Sequence, residues 1–347
     1  MRSRRSGGRR GRVRGGGVVL ALLGVLLSAC GSGAPRGERA PVPSLVDDTA
    51  LAQVVLRVGD QKGGAKSMLA AAGLLDNVPY RIEWSTFVAG PPLLEAASAG
   101  AVDIGGVGNT PPLFAAAANA KVSVVSAARG DLTGDAILVP ADSPARDLGA
   151  LRGRTIAVAK GSSAHGVLLS ALRNAGLSPS DVTIAYLAPA EAYAAFSQRR
   201  VDAWAIWEPY TSQALRETSA RVLVDGGSGL TNGLSFQVAS RAALADPGRN
   251  TAIRDYLIRL AKAMAWADTH REQRAAVWSQ ETGLPVEVTR AAVERGGDLV
   301  VPLDQSVVDS EQRLADAFAE ARLLPSRIRF ADHVDARHDQ DVLAAAK

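Results

Sequence analysis

The residues in this chain that could do chemistry sit at turns. Gln61-Lys62-Gly63-Gly64 and Lys160-Gly161-Ser162-Ser163 are two Lys-Gly turns 98 positions apart, each lying between a strand-like run and a helical run. Ser162 and Ser163 stand at a helix N-cap beside Gly161, so one hydroxyl can accept from the helix while the remaining backbone N–H groups point outward. Free N–H groups and the positive end of the helix dipole together hold an oxyanion, a sulfonate for example, without any lysine. Gly108-Asn109-Thr110-Pro111 is a second such start, with proline early in the helix, where its missing N–H costs nothing. Ser, Asn and Thr cap many helices that bind nothing, so weight falls on four turns at matched positions rather than on any one. His165, one turn into its helix, either hydrogen-bonds a ligand or packs. In Val201-Asp202-Ala203-Trp204-Ala205-Ile206-Trp207 the period of two places Trp204 and Trp207 on opposite faces near a strand end, where indoles wall an alkyl group or fill a core. Glu208 follows, a carboxylate that repels an anion unless it is paired or meets a ligand amine. Lys62 and Lys160 read as solvated charges, and Trp84, Trp266 and Trp278 as packing residues.

No catalytic set assembles from the remainder. The four histidines, at 165, 270, 333 and 338, lack metal-ligand spacing and have no nucleophile beside them, and Asp103 and Asp202 fall in different halves. The sequence therefore predicts no catalytic residue, no metal and no cofactor, and nothing in it asks for an enzyme.

The elements that must position these turns are written twice. Val54 to Val58 reads as a strand, followed by a helix through Met68-Leu69 to Gly73; Thr155 to Ala159 reads as a strand, followed by a helix through Val167-Leu168-Leu169 to Gly176. A helix through Leu93-Leu94-Glu95 then feeds Val102-Asp103-Ile104, and one through Glu191-Ala192-Tyr193 feeds Val201-Asp202-Ala203. Each half is a set of β-α-β units with short connections, which predicts two α/β lobes, each a mostly parallel sheet flanked by helices. Ligands of such sheets bind at the carboxyl ends of the strands, and there Gln61–Gly64, Gly108–Thr110, Lys160–Ser163 and Trp207–Glu208 are predicted to converge. The expected division is 51–132 for the first lobe, 133–226 for the second, and 227–347 for the rest of the first lobe and the C-terminal helices. The chain crosses at 129–136 and 225–233, and amphipathic helices run over 251–265 and 311–323.

A chain of 347 residues is too long for one ordinary core, and 47% hydrophobic residues exclude a disordered one. The net charge of +4 comes from the head, since residues 1–29 hold seven of the 39 basic residues and no acid. The remainder, with 32 basic against 35 acidic groups, offers no groove for nucleic acid. The apolar run Val18 to Leu27 spans about 15 Å as a helix, half a bilayer core, and so reads as the middle of an export leader covering 1–29. The one cysteine, Cys30, closes Leu27-Ser28-Ala29-Cys30, an order that resembles the bacterial lipobox, in which the cysteine is acylated and the peptide is cut before it. Residues 30–50 read as a flexible tether. The expected location is exported, lipid-anchored at the outer face of the cytoplasmic membrane.

Val58-Gly59-Asp60-Gln61-Lys62-Gly63, Phe87-Val88-Ala89-Gly90-Pro91-Pro92-Leu93-Leu94-Glu95-Ala96, Gly106-Val107-Gly108-Asn109-Thr110-Pro111-Pro112, Lys160-Gly161-Ser162-Ser163-Ala164-His165 and Trp204-Ala205-Ile206-Trp207-Glu208-Pro209-Tyr210 together resemble the aliphatic-sulfonate-binding proteins of ABC importers, over about 53–325. The resemblance implies a type II periplasmic-binding-protein fold, two α/β lobes around a ligand cleft. It also implies capture of an aliphatic sulfonate for a membrane permease, as a sulfur source, by a protein acting as a monomer. Carried over by position, Gln61, Gly108, Asn109, Thr110, Gly161, Ser162, Ser163, His165, Trp204, Trp207 and Glu208 match the motifs lining the family's cleft. Asn109-Thr110 departs from the Asp-Ile expected of a close relative, and Glu208 from Asp. Two lobes closing on a ligand that touches both only when they are shut is the implied mechanism. Related folds serve taurine, nitrate or a thiamine-pyrimidine precursor, and rival readings are an exported enzyme on a small anionic ester or a sensor lobe for a membrane kinase.

Overall fold

Short apolar runs broken by glycine turns fold here as strands, and the Ala/Leu-rich runs between them fold as helices. The computed structural model describes residues 42–295 and 297–347. The leader, Cys30 and the first part of the tether lie outside the described residues. In chain order the first lobe begins with α1 (Asp48–Leu51), β1 (Val55–Gln61), α2 (Ala65–Ala71), β2 (Arg81–Phe87), α3 (Gly90–Ser98), β3 (Ile104–Gly108), α4 (Pro111–Ala117) and β4 (Val122–Gly130). The second lobe comprises β5 (Ala136–Pro140), β6 (Thr155–Val158), α5 (Ser163–Asn174), β7 (Thr183–Tyr186), α6 (Pro189–Ser197), β8 (Ala203–Ile206), α7 (Tyr210–Glu217) and β9 (Ala220–Asp225). The chain then returns through β10 (Leu234–Ser240), α8 (Arg241–Ala245), α9 (Pro247–Thr269), α10 (Arg271–Thr282), α11 (Val286–Arg295), β11 (Asp298–Val301), α12 (Gln305–Glu320) and α13 (Asp339–Ala345).

The first sheet has the order β11-β4-β10-β3-β1-β2 and the second β7-β6-β8-β5-β9. In both, the first strand of the repeat pairs in parallel with the next two, β1 with β2 and β3, β6 with β7 and β8. In both, a strand that has just crossed between lobes inserts antiparallel before the last one, β10 between β3 and β4, β5 between β8 and β9. The duplication read in the sequence is therefore a duplication of sheet order, with each crossing strand completing the sheet it enters.

Apolar side chains on both faces of each sheet hold the layers together. Leu93, Phe236, Phe318 and Phe330 fill one side of the first sheet, and Leu56, Val58, Tyr256 and Leu257 the other. In the second lobe Leu168 and Leu172 of α5 pack on Ile137 and Val139, while Phe196 and Trp204 fill the opposite face. Helices α10 and α11, which the periodicity reading passed over, carry a small core of their own around Ala275, Trp278, Ala292 and Val293. Packing also begins inside the expected tether: Val46 N–H donates to Thr251 Oγ1 at 3.0 Å, Asp47 caps α1, and Leu51 is buried. No helix among the described residues is long and apolar enough to cross a membrane.

Candidate functional site

A cavity of about 460 Å³ lies at the carboxyl ends of β1, β2 and β3, a size suited to a small organic ligand. Its floor is the β1–α2 turn, the ends of β2 and β3 and the start of β10; α9, α10 and α11 form one side, and the turn 207–210 of the second lobe covers another. Met68, Leu260, Met264 and Val293 give it an apolar stretch. Among the described residues no group of three His, Cys, Asp or Glu side chains is placed to hold a metal ion.

On the β1–α2 side the Asp60 carboxylate accepts from the backbone N–H of Gln61, Ala65 and Lys66 at 2.8–2.9 Å. A side chain of the protein thus occupies the amides of this turn, and burial holds the Asp60 carboxyl above its ordinary range against those three donors. Arg274 of α10 lies over this turn, donating to Gly63 O and, at 3.0 Å, to Ser67 Oγ, and stacks over Trp278 at 4.8 Å. Desolvation lowers the Arg274 guanidinium to about 10. The indole of Trp278 lies so close to Gly63 that a Cβ there would sit 1.6 Å from Nε1, which is why this turn, at φ +81°, takes glycine.

The wall facing it is acidic. Glu208 accepts from Ser212 N–H and Ser212 Oγ at 3.1 and 3.0 Å, closing the start of α7, and burial pushes its carboxyl up to about 7. Asp298, at the start of β11, accepts from Ser235 Oγ at 2.6 Å and is likewise raised by burial. Gln237 on β10 is only 9% exposed, and its Oε1 has no hydrogen-bond donor.

Of the residues singled out by sequence, Gln61, Gly108, Trp207 and Glu208 line this cavity. Gln61 Nε2 donates to Gly106 O at 3.2 Å, and Trp207 meets Tyr210 edge to face. The other seven lie off the wall, which corrects their expected placement. Asn109 and Thr110 are buried: Asn109 Nδ2 donates to Asn232 Oδ1 at 2.9 Å and to Thr231 Oγ1 at 3.3 Å, and Thr110 Oγ1 donates to Asn109 Oδ1. Ser162 Oγ donates to Ala159 O and caps α5, and Ser163 Oγ donates to Asp135 Oδ1, so both hydroxyls are spoken for. Gly161 N–H donates to His165 Nδ1 at 3.1 Å, which puts the ring proton on Nε2. That ring is buried among Phe114, Phe318 and Tyr186, and desolvation lowers it to about 4. Trp204 is fully buried against Tyr193, Phe196 and Tyr210. For the residues at the two turns the physical reason is shared: the β6–α5 turn packs against the end of β3, where a Cβ on Gly108 would lie 2.9 Å from Ser163 Cβ, so the two turns occupy each other's space.

The sequence reading missed Asp60, Gln237, Arg274 and Asp298, and took Trp278 for a packing residue. Asp60 was detectable, because an acid just before a Gly-Gly turn opening a helix is a cap in waiting. The rest depend on how α10, β10 and β11 come together.

A two-lobed α/β chain with a cavity at the carboxyl ends of its strands is a small-solute binding protein in architecture. The model of the NMT1-like family matches residues 66–280, and the chain belongs to that family. A relative in Escherichia coli strain K12, named as an aliphatic sulfonates-binding protein, is 39% identical over 277 residues, covering 79% of this chain and 86% of the relative. Among solved structures, the alkanesulfonate-binding protein of Xanthomonas axonopodis pv. citri bound to MOPS is 38% identical with a TM-score of 0.75, over 81% of this chain and 98% of that one. The periplasmic aliphatic sulphonate binding protein of Escherichia coli is 37% identical with a TM-score of 0.72, over 81% and 92%.

Proposed function

We propose that this chain is the substrate-binding component of an ABC importer, capturing a sulfonate between its lobes and handing it to a membrane permease for sulfur acquisition. The observation that carries this reading is the cavity itself: about 460 Å³, with both charged and apolar lining, sealed on one side by Trp207–Tyr210 of the second lobe. Gln61, Gly108 and Trp207 are its proposed ligand contacts, and Met68, Leu260, Met264 and Val293 take the alkyl part. Because the cover comes from one lobe and the floor from the other, a ligand touching both favours the shut form by its differential affinity, with bending at 129–136 and 225–233. Binding without turnover, by a monomer, and anchorage through an acyl group on Cys30 complete the proposal; one acyl chain gives marginal attachment and two a lasting one.

A thermal-shift panel of alkanesulfonates, sulfate, nitrate and thiamine precursors in phosphate buffer tests it. An alkanesulfonate at 100 times its dissociation constant adds about 2.7 kcal/mol of stability. A clear shift with nitrate or a pyrimidine and none with any sulfonate overturns the reading.

A further inference from the structure

The two lobes meet at two places, and the contacts differ in kind. At one, α5 of the second lobe lies on α4 and α12 of the first. His165, Gly166, Leu169 and Arg173, on one face of that helix, all reach first-lobe partners. The His165 ring stands 5.9 Å from Phe114 and 5.1 Å from Phe318, a Cβ on Gly166 would lie 2.6 Å from Thr110 Oγ1, and Arg173 pairs with Glu320 at 3.5 Å. Leu169 is buried in the apolar cluster of Leu113 and Phe318, so here one core takes side chains from both lobes. At the other place, α7 and the turn before it lie beside α11. There Trp207 and Tyr210 pack on the second lobe's own cores, and the small core of α10 and α11 holds no second-lobe side chain among the described residues. Parting α5 from α4 and α12 would return Leu169, Phe318 and the His165 ring to water. Lifting the 207–210 turn divides no such core.

We propose that α5 is a fixed pivot: the lobes stay joined along α5, α4 and α12 whether the cavity is open or shut, and the 207–210 turn swings about that joint to admit and enclose the ligand. This rests on the closure reading above and goes beyond it, because bending at the two crossings alone would let the turns at 108–110 and 161–163 part as readily as the cover lifts. The second Lys-Gly turn thereby gains a role. Gly161, Ser162, Ser163 and His165 seat the pivot, with Gly161 against the Phe114 ring and Ser163 against Gly108.

Double electron–electron resonance on spin-labelled cysteine pairs tests the proposal, in a Cys30→Ser chain that keeps no other cysteine. One pair, Arg173→Cys with Glu320→Cys, spans the joint at exposed positions, where loss of the ion pair costs little. The other, Val88→Cys with Arg216→Cys, runs from the exposed cavity rim of the first lobe to α7 behind the cover turn. The joint pair is expected to hold one narrow separation without and with an alkanesulfonate, while the cover pair shortens by about 2 Å or more on adding it, as in complexes whose domains rearrange. A joint pair that spreads or shifts along with the cover pair overturns the pivot and leaves closure standing. Two pairs that both stay narrow and unmoved overturn closure as well.

Discussion

Asp103 in the first lobe and Asp202 in the second hold matching places in the duplicated plan. Each accepts a backbone N–H from the neighbouring strand, Asp103 from Arg57 at 2.9 Å and Asp202 from Thr155 at 2.8 Å, and each returns its own N–H to the same residue's carbonyl. Asp103 is wholly buried between Arg57 and Arg249, whereas the Asp202 side chain stays 44% exposed beside Arg154. The turns diverge in the same way. Gln61–Gly64 faces the cavity under Trp278, while Lys160–Ser163 is folded onto α4. What separates the lobes is the returning chain: α9 brings Arg249 over Asp103, α10 brings Arg274 and Trp278 over the first turn, and the second lobe has no counterpart to either. Repetition therefore supplies the frame, and the asymmetric addition decides at which half's turns the cavity forms.

The contrast between the two aspartates predicts the largest effect. Asp103→Ala takes a wholly buried carboxylate away from two half-buried guanidinium groups and should cost about 2–3 kcal/mol in urea unfolding, while Asp202→Ala, at an exposed pair, should cost about 1. Equal losses would mean that the returning chain does not distinguish the lobes. Next come the matched turn glycines. Gly63→Ala must expel the Trp278 indole and should cost about 3 kcal/mol or more, whereas Gly161→Ala, with its Cβ 3.2 Å from the Phe114 ring, chiefly incurs the positive-φ penalty of about 1–2 kcal/mol.

The smallest effect lies in the pH profile. Burial raises Asp135 and Glu208 to about 7 and Glu311 to about 8, so their contribution to stability is full below about pH 4.5 and is lost as pH climbs through those values. His165 and His338, lowered to about 4, act oppositely: their contribution is full above about pH 6.5 and is lost as pH falls through 4. Glu311→Gln should therefore gain about 1 kcal/mol over the unaltered protein at pH 8 and little at pH 5, measured by melting across that range. A uniform change at both pH values contradicts the assignment.

The frame was legible in the sequence because it is local. Strands such as Val55–Gln61 and Thr155–Val158 are marked by apolar runs ending in glycine turns, and the Val-Asp pairs at 102–103 and 201–202 mark the strands they precede. The site was legible only where a residue's place follows from its own strand, as Gln61, Gly108 and Trp207 show. It failed where long-range partners decide: Ser163 is claimed by Asp135, His165 by aromatic rings from α4 and α12, and Trp204 by a core that its alternation left open. Helices α10 and α11 escaped notice because their apolar positions are few, Trp278 and Val293 among them.

Titration of an alkanesulfonate by calorimetry into the unaltered protein, into Trp207→Ala and into Ser163→Ala tests most directly that the ligand lies in the cavity under the 207–210 turn. The account predicts that Trp207→Ala weakens binding by about tenfold or more and that Ser163→Ala, off the wall, changes it by less than about threefold. A loss confined to Ser163→Ala would place the ligand at the second lobe's turn and contradict it.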